Sequence, residues 1–277
     1  MLECPDYHRI DGEDVLVFCV IGLPEEPGRF PCGHTAVYLT GKTNETYTAF
    51  QAKSLEALDL GLNFYAPQAM DGPDGCILTA WLPGPVKVVP TDELGHQWAG
   101  VMALPRVLHV EDGKLIQEPV SEVRNLRANP QCFHEVLSGD RSLKGKHERC
   151  SEWVAHLKAD QEVTLKFFKG ESPGFCVTWD PEADTLTMDR NGCGYELPGR
   201  LPSKVTASLS RKSHELTLDL IVDNCIAELF INGGERVMSA SVYPKDADRE
   251  WVLTAKGTCD AEVICYDLSR QEKESTR

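Results

Sequence analysis

What most constrains this chain is the period of its apolar residues, which is two wherever it can be read clearly. Glu162-Val163-Thr164-Leu165-Lys166-Phe167, Cys176-Val177-Thr178-Trp179, Leu216-Thr217-Leu218-Asp219-Leu220-Ile221-Val222 and Ile226-Ala227-Glu228-Leu229-Phe230-Ile231 alternate or run apolar over strand-like lengths. Asn191-Gly192 and Asn232-Gly233-Gly234 are hairpin signals, and Trp179-Asp180-Pro181-Glu182-Ala183-Asp184 reads as a turn. Two packed sheets, a β-sandwich over residues 130–270, is the architecture such runs predict. Toward the N-terminus, residues 14–21, 35–39 and 46–50 predict short strands, punctuated by Gly33-His34-Thr35 and Gly41-Lys42-Thr43-Asn44 into a meander. Between the halves the period changes. Val120, Val123 and Leu126 follow Pro119 at helical spacing, predicting a linker helix over 118–129 and a boundary near Asn129-Pro130. Residues 271–277 are polar and predicted to be disordered. No internal repeat exceeds the strand spacing, so an all-β, two-domain chain is expected.

Composition narrows the partners. A net charge of −15 repels nucleic-acid backbones and anionic membranes, and no apolar run approaches the roughly 20 residues that span a bilayer. Eleven cysteines without a Cys-x-x-Cys spacing speak against a disulfide framework or zinc ribbon and for reduced thiols in a cytoplasm, where no signal peptide is needed. Eight histidines contain no His-x-x-x-His pair, so neither metal nor cofactor is expected. Neutral sugars suit this charge best. A phosphorylated sugar would call on basic groups such as Arg106 or Lys87, for which solvated surface is the favoured expectation.

Chemistry concentrates in Leu58-Asp59-Leu60-Gly61-Leu62-Asn63-Phe64-Tyr65-Ala66-Pro67-Gln68 and the apolar run Cys76-Ile77-Leu78-Thr79-Ala80-Trp81-Leu82 beyond the Asp71-Gly72-Pro73-Asp74-Gly75 turn. A carboxylate, an amide and two adjacent rings can line a cleft for a polyhydroxylated ligand, although the same letters also make an ordinary strand end. In extended backbone Tyr65 and Phe64 point to opposite faces, which predicts a ligand-facing hydroxyl and a packed ring. A Trp closing an apolar strand is more often core, the pattern's reading of Trp81, whereas pattern leaves Trp98 open between core and ligand.

Asn63-Phe64-Tyr65-Ala66-Pro67-Gln68 and Ile77-Leu78-Thr79-Ala80-Trp81 resemble the Asp-Phe-Tyr-Ala-Pro-Gln and Ile-Leu-Ile-Gly-Trp signatures of glycoside hydrolase family 32. The likeness continues, in the family's order, through Gly95-His96-Gln97-Trp98, Leu104-Pro105-Arg106, Asp112-Gly113-Lys114-Leu115, Gln117-Glu118-Pro119 and Ala227-Glu228-Leu229-Phe230-Ile231-Asn232-Gly233. At the start, Leu2-Glu3-Cys4-Pro5-Asp6 is similar to the family's Trp-Glu-Cys-Pro-Asp, with Leu2 for Trp. The resemblance implies the last blades of a five-bladed β-propeller over residues 1–117 ahead of the sandwich. It implies Glu3 as general acid/base, Asp59 as its pKa modulator and a substrate contact, and Tyr65, Asn63, Gln68, Trp81 and Trp98 as substrate-binding residues. Leu60 and Asn63 stand where the family has Tyr and Asp.

The implied reaction is hydrolysis of β-fructofuranosidic bonds in sucrose, sucrose 6-phosphate or fructans. Retention needs two carboxyl groups roughly 5 Å apart, one a nucleophile and one a proton donor. Neither the family's nucleophile segment, Asn-Asp-Pro-Asn-Gly, nor its Arg-Asp-Pro occurs in these 277 residues. The expectation is a chain that begins partway through the family's pattern and is inactive alone. Open propeller edges would then favour self-association or a covering partner. The alternative is a non-catalytic carbohydrate-binding or assembly protein.

Overall fold

The computed structural model describes residues 1–30, 33–73, 75–83, 89–195, 197, 202–210 and 212–270. Lys87, Asp74 and the predicted tail at 271–277 lie outside them. The first sheet is a meander of β1 (Leu2–Ile10), β2 (Glu13–Ile21), β3 (His34–Thr43) and β4 (Phe50–Ala57) in sequential antiparallel order. A second sheet holds β5 (Tyr65–Gly72), β6 (Gly75–Leu82), β7 (Val101–Met102), β8 (Arg106–Glu111) and β9 (Lys114–Pro119), with the short helix α1 (Pro90–Glu93) between β6 and β7. These are two propeller-like blades. They share an apolar core that includes Val15, Val17, Tyr38, Leu78, Leu82 and Leu108.

After a 3₁₀ turn at Ser121–Leu126 come β10 (Arg127–Leu137), β11 (Ser142–Lys146), β12 (Cys150–Ala159), β13 (Val163–Lys169), β14 (Phe175–Asp180) and β15 (Thr185–Asp189). They are followed by β16 (Lys204–Ser208), β17 (Glu215–Asp223), β18 (Ile226–Ile231), β19 (Arg236–Ser241), β20 (Glu250–Ala255) and β21 (Cys259–Leu268). One sheet runs β10-β21-β12-β17-β18-β19 and the other β11-β20-β13-β14-β15-β16, packed face to face as a sandwich. Alternation in β13, β14 and β17 aims Val163, Leu165, Val177, Trp179, Leu216 and Leu218 into the core between them. Phe30, Val37, Leu60 and Leu62 from the blade side belong to that same core, so the two parts meet across a continuous apolar seam.

Three local expectations need correction. Residues 46–50 are mostly turn, because the Asn44 side-chain oxygen accepts the backbone N–H groups of Thr48 (2.8 Å) and Ala49 (3.1 Å), overriding the β-formers between. The linker is a six-residue 3₁₀ turn, and the predicted boundary at Asn129-Pro130 falls inside β10. Ala128 opposes Asp267 and the next pair is Gln131 with Cys265, so a bulge at Asn129 (φ 48°) absorbs the proline's missing N–H. Asn191-Gly192 opens the longer connection from β15 to β16, whereas Asn232-Gly233-Gly234 and Asp180-Pro181 close tight hairpins. Among the described residues no helix is long and apolar enough to cross a membrane.

On the outer face of the sandwich a carboxylate pair sits beneath the linker. Glu152 is held by Arg127, whose Nη2 donates to it at 2.8 Å, and Asp219 lies beside Glu152 on the neighbouring strand. Burial, then the charge of Glu152, push Asp219 up to about 7 from an ordinary 3.8. A raised folded-state value means the folded protein keeps a proton that the unfolded chain releases. The associated stability is complete below the unfolded value and is lost as pH rises through about 7. Asp219→Asn, which mimics the protonated form, should therefore stabilise the protein more at about pH 8 than at about pH 5, by roughly 1–3 kcal/mol of difference in thermal melts. An equal shift at both pH values would refute the assignment.

Candidate active site

Two of the sequence motifs are the same backbone device. On β1, Glu3 pairs with Cys19 and the next registered pair is Asp6 with Val17; on β5, Tyr65 pairs with Trp81 and the next is Gln68 with Thr79. Each strand therefore carries one extra residue, a β-bulge, built by a residue at positive φ (Cys4, 49°; Ala66, 49°) followed by a proline. Proline occupies the place where a ladder N–H would be wasted, and the left-handed residue ahead of it re-aims the side chain before the bulge. The result is convergence: the Tyr65 hydroxyl donates to Glu3 Oε2 at 2.7 Å. Cross-links fix the two bulges together, with Ala69 N–H donating to Asp6 Oδ2 (2.7 Å) and Ala66 N–H to Cys19 Sγ (3.2 Å). Burial and the bond to Glu3 push the Tyr65 phenol upward, so it remains a donor at neutral pH.

Tyr65 also lines a 230 Å³ cavity with Phe64, Asn63, His34, Pro83 and Trp81. Trp81 is 44% exposed, so the core expected from its pattern is not where it sits. It stands directly across the strand pair from Tyr65 and offers an indole face. Phe64 is buried as expected, its ring under the Arg106 guanidinium at 4.4 Å.

Asp59 is anchored on the sandwich. The segment 58–64 runs along the sandwich edge, where Leu60 N–H donates to Val237 O (2.8 Å) and Leu62 N–H to Ser239 O (2.7 Å). Gly61 makes that approach possible, since a Cβ there would lie 2.1 Å from the Ser239 backbone. Asp59 Oδ1 accepts from Gly61 N–H (2.8 Å) and Ser239 N–H (2.9 Å); Oδ2 accepts from Ser239 Oγ (2.7 Å) and Arg106 Nη2 (3.0 Å). Arg106 is 0% exposed and reaches Glu228 Oε2 at 2.8 Å and Gln117 Oε1 at 3.0 Å, while Gln117 donates to Leu58 O at 2.6 Å. Burial holds Glu228 above the usual carboxylate range despite Arg106. The expectation of Arg106 as surface is thus corrected, and Asp59 is enclosed in this cluster as the partner of Arg106 while also bordering the Tyr65 cavity.

Asn63 is likewise committed to the seam: its Nδ2 donates to Pro83 O (2.7 Å) and its Oδ1 accepts Ser241 N–H (2.7 Å). Gln68 is exposed, bonds Pro67 O at 2.8 Å and does not line the Tyr65 cavity. Trp98 lines a different cavity altogether. Sequence reasoning missed Ser239, Gln117 and the role of Arg106, for which the one local signal is Glu228, a charge inside an otherwise apolar strand. Among the described residues no cluster of His, Cys, Asp and Glu could hold a metal ion.

Chemically, the site offers a partly buried carboxylate held by a phenol and an exposed indole for a ring to lie on. Asp6 accepts from the Ala69 backbone and Asp59 from the Arg106 guanidinium. These features place the chain among all-β proteins that join propeller-like blades carrying an acidic residue to a sandwich. Comparison with known proteins is more specific. Residues 1–119 match the model of the glycosyl hydrolases family 32 N-terminal domain and residues 122–268 that of the family's C-terminal domain. The chain belongs to glycosyl hydrolases family 32. It is 31% identical over 97% of its length to sucrose-6-phosphate hydrolase of Staphylococcus xylosus, and 31% identical over 92% to raffinose invertase of Escherichia coli. It covers 54% and 52% of those proteins, so it spans about half the length of the curated relatives it matches. The solved sucrose-6-phosphate hydrolase of Lactobacillus gasseri superposes on 97% of the chain with a TM-score of 0.83 at 24% identity, covering 55% of that structure, and shows the same fold.

Proposed function

We propose that this chain carries the proton-donor half of a β-fructofuranosidase of the retaining, two-carboxylate kind. Glu3 is the general acid/base, protonating the glycosidic oxygen as it leaves and deprotonating the water that follows. Tyr65 orients it, Trp81 supplies a stacking face for the sugar, and the attacking carboxylate belongs to sequence outside these 277 residues. The observation that carries the reading is the 2.7 Å bond from Tyr65 to Glu3, which joins the two motifs that the family resemblance singles out. The name sucrose-6-phosphate hydrolase supports sucrose 6-phosphate as substrate, and the sucrose complex of a Bombyx mori β-fructofuranosidase supports sucrose. Free thiols at all described cysteines support a reducing, cytoplasmic setting.

A covering partner follows from the same reading. β1 is an edge strand, and Leu2 (69% exposed) and Met70 (58%) face outward from the blades. The remaining blades, carried by sequence outside these 277 residues, would cover those exposed faces and bring the nucleophile opposite Glu3. One fact favours a second reading, carbohydrate binding without turnover: neither the nucleophile segment nor Arg-Asp-Pro is in the chain.

The two separate in one assay. Fructose release from sucrose and sucrose 6-phosphate is measured with the chain alone, and with the chain mixed with or fused behind an N-terminal half bearing Asn-Asp-Pro-Asn-Gly. The expected result is no release alone and release in the combination. Release by the isolated chain overturns the division of labour, and none in a folded fusion favours binding without turnover.

A further inference from the structure

A cavity of 890 Å³ lies away from Glu3 and the Tyr65 cavity. It lies between the segment that follows β6 and the far end of the sandwich, at the upper end of the roughly 300–1,000 Å³ usual for ligand pockets. One wall is Trp98, 40% exposed, with the His96 ring 6.3 Å away; the other carries Tyr195, 39% exposed. Exposed rings are ordinarily mobile, but both of these are pinned by their backbones. The buried Thr91 hydroxyl donates to Trp98 O at 2.7 Å, and His96 N–H returns to Thr91 O at 2.8 Å, so residues 91–98 form a closed loop. Tyr195 N–H donates to Tyr243 O at 3.0 Å, beside Gly194, where a Cβ would meet that same oxygen at 2.1 Å.

Polar groups stand at the rim. Asn224 and Asp223 come from the β17–β18 hairpin, whose tip holds Asn224 at φ 50°. The charged lining residues are Arg149 and Lys245 against Asp223 and Asp246, two of each sign, and Arg149 is already paired with Asp246. A cleft with two fixed aromatic faces, hydrogen-bonding groups at its edge and no net charge suits a ligand with apolar ring faces, many hydroxyls and no charge. It suits a phosphate or a nucleotide poorly, because Arg149 is already held by Asp246 and the lining carries as many carboxylates as cations.

We propose that this cleft is a second carbohydrate site, taking a neutral oligosaccharide, separate from the Tyr65–Trp81 cavity and independent of any turnover at Glu3. Such a site would hold a polymer to the protein and raise the local concentration of its ends.

Binding by the 277-residue chain is measured by calorimetry with an inulin-type fructo-oligosaccharide, a maltodextrin of similar length, sucrose and sucrose 6-phosphate. At least one neutral oligosaccharide should bind, with sucrose 6-phosphate no tighter than sucrose. Trp98→Ala and Tyr195→Ala, from opposite walls, should each weaken the oligosaccharide at least tenfold, Trp98→Phe should weaken it less, and Trp98→Ala should weaken it equally in a Trp81→Ala background. Iodide quenching gives an independent readout, because Trp153, Trp179 and Trp251 are at most 1% exposed and only Trp81 and Trp98 can be shielded by ligand. Near-ultraviolet circular dichroism confirms that each variant is folded. The proposal is overturned if no neutral oligosaccharide binds, if affinity follows Trp81 and not Trp98, or if a peptide and not a sugar protects Trp98. Absence of fructose release in the combined assay leaves every one of these measurements unchanged.

Discussion

Arg106→Met should cost about 3–5 kcal/mol of unfolding free energy, among the largest losses available to a single substitution in this chain. The guanidinium is wholly enclosed, and its removal leaves two buried carboxylates, Asp59 and Glu228, facing one another without a cation. The loss of attraction is the smaller part. The larger is that charges desolvated on folding no longer have a partner to offset that penalty, so the folded protein must either keep them ionised at high cost or take up protons. The second route fixes the sign with pH. Burial already holds Glu228 above the ordinary carboxylate range, so with Arg106 gone the deficit should be greatest at about pH 8 and shrink toward about pH 5, as protonation lets the orphaned acids stay inside.

Urea unfolding at the two pH values measures this. Adding Asp59→Asn and Glu228→Gln to Arg106→Met should recover most of the loss, because the damage is unpaired charge and not missing volume. Arg106→Lys, which keeps the charge, should recover only part of the loss. One ammonium cannot replace a planar fork that meets Asp59, Glu228, Ser239 and Gln117 while lying on the Phe64 ring. A loss below about 1 kcal/mol for Arg106→Met would mean that the seam is wet and the cluster solvated.

The seam also marks where sequence reading ends. β13, β14, β17 and β18 were legible because period-two alternation is local and a two-sheet core demands it. The joining of Glu3 to Tyr65 was legible only through motifs, 62 residues apart, since nothing near either position names the other. Arg106 lies 47 residues from Asp59 and 122 from Glu228, and Asp59 lies 180 from Ser239. Each looks locally like a turn or surface residue, and only burial reveals the partners. α1 spans four residues, too few to show a helical period, and Thr46, Tyr47 and Thr48 read as strand formers until the Asn44 side chain is seen bending the backbone around them. Trp81 illustrates the opposite failure. Its strand alternates Leu78, Ala80 and Leu82 inward, which puts position 81 on the outer face, so the period itself contradicts the habit of reading Trp as core.

Glu3→Gln should remove catalysis from the combined assembly by roughly 10²–10⁴-fold while leaving sucrose binding nearly intact. Glutamine has the size and hydrogen-bonding reach of the protonated acid but no proton to give, so an alkoxide must depart unaided. A structural role for Glu3 would lower the rate alike for every substrate. A proton-donating role would not, because a fructoside with an acidic phenol as leaving group departs without help and should lose far less in kcat/KM, of the order of tenfold or below. Its kcat still falls, because water then lacks its base. The ratio of the two kcat/KM losses is the diagnostic quantity. Tyr65→Phe should cost about tenfold on sucrose and less in kcat/KM on the activated fructoside, since deleting the 2.7 Å bond disorders the proton donor without abolishing its proton. Equal losses in kcat/KM on sucrose and on the activated fructoside would remove Glu3 from the chemistry and leave its bond to Tyr65 as a brace between two bulged strands.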